Sequence, residues 1–186
     1  MAPGARRHDP GRRQRIIDAA TRVVEARGIA GLSHRSVAAE ADVPLGSTTY
    51  HFATLDELLV ATLRQANEAH VPRLVLRDGE DLAGALARLL GERLTAERGR
   101  VELEYELYLA ALRRPALRPV AARWCEDVDR ALEPYADPAT ARALVAVLDG
   151  IGLRVLLTDT PYDEAGAREA LGRILTGGRP GGRPGS

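Results

Sequence analysis

Apolar side chains recur every three or four residues along most of this chain, which is the spacing of one face of an α-helix. The first run aligns four of them on a single stripe: Ile16, Ala20, Val23 and Val24. It predicts a helix from Arg12 to Arg27, closed by Gly28, because glycine commonly caps the C-terminal end of a helix. No segment alternates apolar and polar residues as a half-buried strand does. The pattern therefore predicts an all-α protein.

Two shorter helical segments separated by a turn lie between Ser33 and Phe52. Ser33 is a good N-cap for the first segment, because its hydroxyl can accept from an amide two or three residues further on. Asp42 and Pro44 mark the turn, since aspartate tolerates the left-handed conformation and proline suits a helix start. The second segment, Leu45 to His51, is short and polar on its outside. This arrangement is typical of a helix-turn-helix, whose second helix enters the major groove of DNA.

The segment GSTTYHF at 46–52 resembles the DNA-binding motif of the TetR/AcrR family of transcriptional regulators. That family carries a glycine, a small hydroxyl residue, an apolar residue and an aromatic ending of the Y-x-H-F type. The flanks also agree with the family's first and fourth helices. Four positions depart from the family's pattern: Asp42 at the turn glycine, Thr48 at the apolar plug, Thr49 at the first tyrosine, and Leu55 at a common lysine.

The resemblance implies that residues 12–56 form a DNA-binding domain for double-stranded operator DNA. The residues expected to contact DNA are Arg35, Leu45, Gly46, Ser47, Thr49, Tyr50 and His51. Of these, Ser47, Thr49 and Tyr50 should approach base edges or phosphates. Arg35 and His51 should instead hold the DNA backbone and set the register.

Charge is distributed in a way that suits DNA at the N-terminal end. The whole chain has a net charge of zero, yet residues 1–35 hold eight arginines against three acids, a net charge of +5. The remainder therefore carries −5, so the basic field lies on the helix-turn-helix end. Residues 1–11 contain two prolines and little apolar content, and they are expected to form a flexible basic arm.

The pattern after the helix-turn-helix stays helical and predicts a second, six-helix domain over residues 57–176. A capping box at Thr54 and Glu57 should start its first helix, which Pro72 should stop. A leucine stripe follows, then helices over 101–112, from Pro119, and over 139–157. Thr160-Pro161 should begin the last helix, which runs to about Thr176. The tail at 177–186 repeats one tetrapeptide and is expected to be disordered.

The helix predicted over 101–112 has two apolar faces, edged with carboxylates and tyrosines. Such a helix can line a small-molecule pocket, and members of the resembling family bind effectors among their central helices. The candidate ligand-binding residues are Glu102, Tyr105, Glu106, Tyr108, Leu109 and Trp124. Glu104 is expected to point elsewhere. The alternative is that the glutamates are solvated or pair with Arg100 and Arg113, while the tyrosines belong to the core.

The helix predicted over 139–157 holds only three charged residues and must be buried on more than one side. It could be a central core helix of one subunit. The resemblance favours a homodimer interface instead, because the family pairs through its last two helices. A charge placed at Leu148 or Ile151 is then expected to break the dimer.

No pattern in the sequence points to catalysis, a cofactor or a metal. The four histidines are scattered, and Cys125 stands alone, which fits a reducing cytoplasm. No stretch has the length and apolarity of a membrane span. The chain is therefore interpreted as a cytoplasmic, homodimeric, ligand-responsive regulator, with repression favoured, that binds a palindromic operator. The alternatives are a regulator switched by a protein partner, or a helical small-molecule-binding protein without an operator.

Overall fold

A computed structural model of the protein describes residues 9–69 and 74–177. Within these ranges the chain forms nine α-helices, two short 3-10 helices (Ile29–Gly31 and Pro115–Leu117) and no strand. The α-helices are α1 (Arg12–Arg27), α2 (His34–Glu40), α3 (Leu45–His51), α4 (Leu55–Ala69), α5 (Leu82–Ala96), α6 (Arg98–Ala110), α7 (Arg118–Leu132), α8 (Pro138–Thr158) and α9 (Glu164–Gly177). The all-α prediction is confirmed. Most of the predicted arm, the tail beyond Gly177 and the expected stop at Pro72 lie outside the described residues.

Local capping explains why the first three helices begin and end where they do. The Ser33 hydroxyl accepts from the Ser36 amide at 3.0 Å, and Ser36 in turn accepts from the Ser33 amide at 2.9 Å. Gly28 closes α1 with φ 66°, and Asp42 takes a left-handed φ of 50° in the turn. The roles of Ser33, Gly28 and Asp42 were predicted from the sequence, and that of Ser36 was not. Short local signals therefore determine the geometry of the helix-turn-helix.

One closed apolar core joins the N-terminal helices to α4 and α6. Its fully or nearly fully buried members include Ile16, Val23, Val37, Phe52, Leu58, Leu63, Leu103 and Leu107. The core crosses the predicted boundary between residues 56 and 57, because α4 and α6 both contribute to it. A movement of α6 would therefore directly change the packing of the helix-turn-helix.

A second core packs α5 against α8 and α9. Its buried members are mostly small residues and leucines: Ala83, Leu86, Ala87, Leu132, Ala141, Leu144, Ala167 and Leu171. Small side chains on α5 let its neighbours approach closely. The Tyr162 hydroxyl donates to the Ala87 carbonyl at 2.6 Å and ties the start of α9 to α5.

Two helices differ in their limits from the sequence-based expectation. The helix predicted over 101–112 is α6, which begins at Arg98 and ends at Ala110. The last helix begins at Glu164, because Asp163 caps it by accepting from the Gly166 amide at 3.0 Å. Thr160 instead pairs its hydroxyl with that of Thr158 at 2.9 Å, so the prediction that Thr160-Pro161 starts the helix is wrong.

Helix α8 has one inner and one outer face. At 100° per residue, Leu148 and Ile151 fall on the inner side, where they pack against the second core, and Leu148 also borders a cavity. A charge at either position would therefore also disturb the subunit itself, and the expectation that these two residues hold a dimer stays a prediction. The outer face carries Ala143, Ala146, Gly150 and Leu157, all exposed, with Leu157 reaching 81 % exposure. No helix in the described ranges is long and apolar enough to cross a membrane.

Candidate functional site

Helix α3 is held to the protein by one face only. Thr48 is fully buried against α2, and its hydroxyl donates to the Leu45 carbonyl at 2.8 Å, which satisfies the polar group inside the core. The position that is apolar in the resembling family is thus filled here by a threonine with an internal hydrogen bond. The opposite face of the helix stays open to solvent.

That open face contains the residues predicted to contact DNA. Leu45, Gly46, Thr49 and Tyr50 are exposed on α3, and Arg35 is exposed on α2. Ser47 and His51 are half-buried. Tyr50 is 84 % exposed and meets only the edge of the His51 ring, with ring centroids 5.2 Å apart. Six of the seven residues lie on α3 and Arg35 lies on α2, which packs against it, and their contact with DNA stays a prediction.

Gly46 is not required by the packing of this subunit. A Cβ atom built at this position would meet nothing within 4 Å. Its backbone is also not in the left-handed region, since the described positive-φ glycines are Gly28 and Gly79. A glycine here would let a binding partner approach the backbone of the helix closely.

The second feature is a cavity of about 320 Å³ enclosed by α5, α6, α7 and α8. Most of its wall is leucine and valine. The polar or aromatic residues on the wall are Arg93, Glu104, Tyr105, Tyr108, Trp124, Cys125 and Asp149. A volume of this size suits a drug-sized molecule, since ligand pockets commonly measure about 300–1,000 Å³.

Four of the six predicted ligand-binding residues lie on this wall: Tyr105, Tyr108, Leu109 and Trp124. The other two do not. Glu102 is exposed and pairs with Arg98 at 3.0 Å, and Glu106 turns toward the N-terminal domain. Their assignment to the pocket is corrected, as is the expectation that Glu104 points elsewhere.

Glu104 faces the cavity because it shares a helix face with three other wall residues. Val101, Glu104, Tyr105 and Tyr108 follow the i, i+3, i+4, i+7 spacing of one helical stripe. The sequence carries that spacing, but a carboxylate within an apolar stripe breaks the apolar pattern that marks a buried face. Arg93 and Asp149 come from α5 and α8, and no local pattern marked them.

The charged groups of the cavity are arranged in two contacts. The Arg93 guanidinium forms an ion pair with the Glu104 carboxylate, and Glu104 is only 6 % exposed. The Tyr105 hydroxyl lies 3.2 Å from an Asp149 carboxylate oxygen, to which it donates. The partner of Asp149 is thus the neutral Tyr105 hydroxyl, whereas Glu104 is paired with the Arg93 cation. Formal charges on the wall sum to −1.

Burial determines how the polar groups titrate. Desolvation, followed by the charge of Asp149, raises the pKa of Tyr105. Desolvation, followed by the charge of Glu104, raises the pKa of Tyr108. Both phenols are therefore neutral donors near pH 7. Desolvation also raises the pKa of Asp149, opposed by the Tyr105 hydrogen bond and the charge of Arg93. The pKa of the Cys125 thiol is raised by desolvation, which disfavours the nucleophilic thiolate.

An aromatic pair forms part of the same wall. The rings of Tyr108 and Trp124 lie 6.2 Å apart between centroids and are tilted by 33°. Such faces attract cations and flat aromatic molecules. Together with the net negative charge, they make the cavity suitable for an apolar molecule that carries positive charge.

Helix α6 connects this cavity to the DNA-binding domain. The Tyr108 hydroxyl donates to the Asn67 side chain of α4 at 2.8 Å. On another face, a Glu106 carboxylate oxygen accepts from the Ile29 amide at 2.6 Å, just beyond α1. A Cβ atom on Gly28 would lie 2.9 Å from the same oxygen, so the carboxylate is packed tightly against the backbone. One helix thus touches the cavity, α4 and the end of α1.

The fold and these two sites define a helix-turn-helix DNA-binding protein with an internal ligand cavity. Residues 16–62 match the family model of bacterial regulatory proteins of the tetR family, and residues 77–177 match the tetracyclin repressor-like C-terminal domain. The chain belongs to the TetR family of transcriptional regulators.

Solved structures with high identity agree with this assignment. A chain of the multidrug binding protein EbrR, crystallised with ethidium, is 70% identical, with a TM-score of 0.82 over 90% of this chain and 99% of that one. EbrR has also been crystallised with proflavin and with malachite green. A member of the TetR family from Streptomyces coelicolor A3 is 71% identical, with a TM-score of 0.78 over 89% of this chain and 98% of its own.

A curated relative is more distant in sequence. The HTH-type nicotine-responsive transcriptional repressor HdnoR of Paenarthrobacter nicotinovorans is 28% identical over 77% of this chain and 82% of its own length. These relatives are named as regulators and binding proteins rather than enzymes.

Proposed function

We propose that this protein is a repressor that binds a palindromic operator as a homodimer and is released from it by a lipophilic, aromatic cation. The observation that carries the proposal is the cavity beside α6, which combines an apolar and aromatic wall with a net charge of −1. EbrR, at 70% identity, binds ethidium, and this dye is a flat aromatic cation. Proflavin and malachite green, with which EbrR has also been crystallised, are aromatic cations as well.

The homodimer part of the proposal rests on the outer face of α8. Four small or apolar residues, Ala143, Ala146, Gly150 and Leu157, are exposed there in a single subunit. A partner copy would cover this face, and two-fold symmetry would then present two α3 helices to successive major grooves, about 34–36 Å or a multiple apart.

Gly150→Arg tests the dimer without disturbing the subunit. A Cβ atom at Gly150 would meet nothing within 4 Å, and the position is exposed, so the single subunit can accommodate arginine. A desolvated charge at an interface is costly, and we expect monomers by sedimentation at micromolar concentration. Ala122→Arg, on the exposed side of α7, is the matched control and should leave the wild-type assembly unchanged. A monomeric wild-type protein would refute the dimer.

The switch would act through α6. A ligand that displaces Tyr105 or Tyr108 would shift α6, and with it the contacts to Asn67 on α4 and to Ile29 beyond α1. The ligand would favour a state in which α4 holds the two recognition helices at the wrong separation. Since coupling is reciprocal, operator DNA must weaken ligand binding by the same factor by which ligand weakens DNA binding.

The function is tested in two steps. DNA fragments of the source genome are selected on the protein, and the selected fragment is then bound with increasing malachite green. We expect release of the fragment, with a coupling of about 1–3 kcal/mol or roughly 5- to 150-fold in affinity. Quenching of Trp124, which is the single tryptophan, reports dye entry into the cavity.

The control separates the cavity from direct action of the dye on DNA. Asp149→Asn removes the carboxylate that faces the Tyr105 hydroxyl, so it should weaken both dye binding and release of DNA. Equal release from wild-type protein and from this variant would show that the dye acts on the DNA instead. Equal affinity for the selected fragment and for scrambled DNA would refute sequence-specific regulation. Specific DNA binding that no cationic dye alters would favour a protein partner as the switch.

A further inference from the structure

Three formally charged side chains from three helices face the cavity: Arg93, Glu104 and Asp149. The Arg93 guanidinium is joined to the Glu104 carboxylate, which is nearly completely buried. Asp149 sits at the more exposed side and accepts from a neutral phenol, Tyr105, at 3.2 Å. One of the two carboxylates is therefore neutralised from within the protein, and the other keeps its charge for a ligand.

We propose that Arg93 is an internal counter-ion that sets the charge selectivity of the cavity, so that it accepts cations with one positive charge and excludes those with two. This inference rests on the proposed function and names the ligand class more narrowly. With the ion pair intact, Asp149 can neutralise a single ligand charge. A second ligand charge would have to enter an apolar cavity already holding the Arg93 guanidinium, without a carboxylate of its own.

The same geometry makes Arg93 a specificity residue rather than only a structural one. A merely structural ion pair would contribute to folding, and its loss would lower the affinity for all ligands alike. A counter-ion does something different, because its removal changes the wall from −1 to −2 and should favour a doubly charged ligand over a singly charged one. The ratio of two affinities distinguishes these cases.

Ethidium and propidium are suitable probes, because they share one phenanthridinium ring system and propidium adds a second, quaternary ammonium charge. Dissociation constants for both dyes are measured by fluorescence for four proteins: wild type, Arg93→Met, Glu104→Gln and the double variant. The formal wall charges are −1, −2, 0 and −1 in that order. The experiment needs no DNA, so intercalation does not enter.

We expect wild-type protein to prefer ethidium, and Arg93→Met to shift the affinity ratio toward propidium by at least about tenfold. The double variant has lost the ion pair but regained the charge of −1, so its ratio should return to that of wild type. Glu104→Gln should lose affinity for both dyes. Arg88 lies on the same helix as Arg93 but away from the cavity, so Arg88→Met, which breaks an ion pair with Glu80, should leave the ratio unchanged.

Two failures are distinguishable. If wild-type protein binds neither dye, the proposed cationic effector is wrong and this inference falls with it. If wild-type protein binds ethidium but the ratio stays constant in Arg93→Met, or fails to return in the double variant, the counter-ion role of Arg93 is refuted while the proposed function stands. Should Arg93→Met fold poorly, Glu104→Gln still decides between charge and structure. A wall charge of 0 should cost more affinity for propidium than for ethidium, whereas loss of a merely structural pair would leave the ratio unchanged.

Discussion

Helix α3 has one buried face and one face open to solvent, whereas α6 lies between a closed core and a cavity. Helix α3 buries Thr48 and exposes Leu45, Gly46, Thr49 and Tyr50. The core beneath it has fully buried residues on every neighbouring helix. Helix α6 closes that same core with Leu103 and Leu107, but its other side borders a cavity. The DNA-binding domain is therefore solid and locally capped, whereas the second domain is hollow beside α6. A solid unit can present a fixed surface, and a hollow one can respond to a ligand.

The largest expected difference is between substitutions on the two faces of α6, in their effect on the free energy of unfolding. Leu107 is fully buried in the closed core, and Leu109, two residues on, is 54 % exposed at the cavity. Leu107→Ala should lower the free energy of unfolding by about 2–5 kcal/mol, because it leaves a void among tightly packed residues. Leu109→Ala should change it by no more than about 0.5 kcal/mol. Chemical denaturation of both variants measures the difference, and equal losses would contradict the contrast between the two faces.

The exposed face of α3 should contribute to operator affinity and not to the stability of the fold. Tyr50→Ala removes a ring that is 84 % exposed, so the melting temperature should not change. Loss of a contact to a base or phosphate should weaken operator binding by about 1–3 kcal/mol, or roughly 5- to 150-fold. Tyr135→Ala, at an exposed tyrosine of the second domain, is the matched control and should bind operator like wild type. Fluorescence anisotropy on a labelled operator fragment measures both affinities.

The connection between the two regions can be cut at Glu106. Glu106→Ala removes the acceptor for the Ile29 amide, so ligand should release DNA less effectively, with a coupling reduced by about 1 kcal/mol. Glu106→Gln keeps a carbonyl oxygen in the same place and should retain most of the coupling. The measurement is operator affinity with and without malachite green. A full ligand response in the alanine variant would show that this contact carries no coupling.

The smallest expected effect concerns pH and an ion pair beside α5. The Arg88 guanidinium and the Arg77 amide lower the pKa of Glu80 to about 2 from an ordinary 4.5. A lowered pKa means that the carboxylate stabilises the folded state above about pH 4.5, and that this contribution is lost as pH falls toward 2. Glu80→Gln should therefore melt below wild type at pH 7 and like wild type near pH 2.

An exposed ion pair provides the control for that comparison. An Arg173 guanidinium nitrogen and a Glu169 carboxylate oxygen lie 2.5 Å apart on α9, and both side chains are largely in solvent. Because such pairs contribute little to stability, Glu169→Gln should melt like wild type at both pH values. A fall in melting temperature as large as that of Glu80→Gln would show that general surface charge, and not the pair of Arg88 with Glu80, causes the effect.

Much of the N-terminal domain was predictable because its determinants are local. The limits of α1, the Ser33 cap, the left-handed Asp42 and the limits of α3 each depend on residues within a few positions of one another. The last helix shows the limit of such signals. Thr160-Pro161 was predicted to start it, but the structure starts it at Glu164, where Asp163 is the cap.

The sequence by itself determined the all-α fold and the helix-turn-helix, because helical periodicity and capping act over one or two turns. Only the tertiary structure decided which carboxylates face the cavity. Glu104 meets Arg93 of α5, Asp149 arrives from α8, and Glu106 turns to the Ile29 amide, 77 positions away. It also decided that Leu148 faces inward. Such placements depend on how helices distant in sequence are rotated against one another, and the rotation is set by packing of the whole domain.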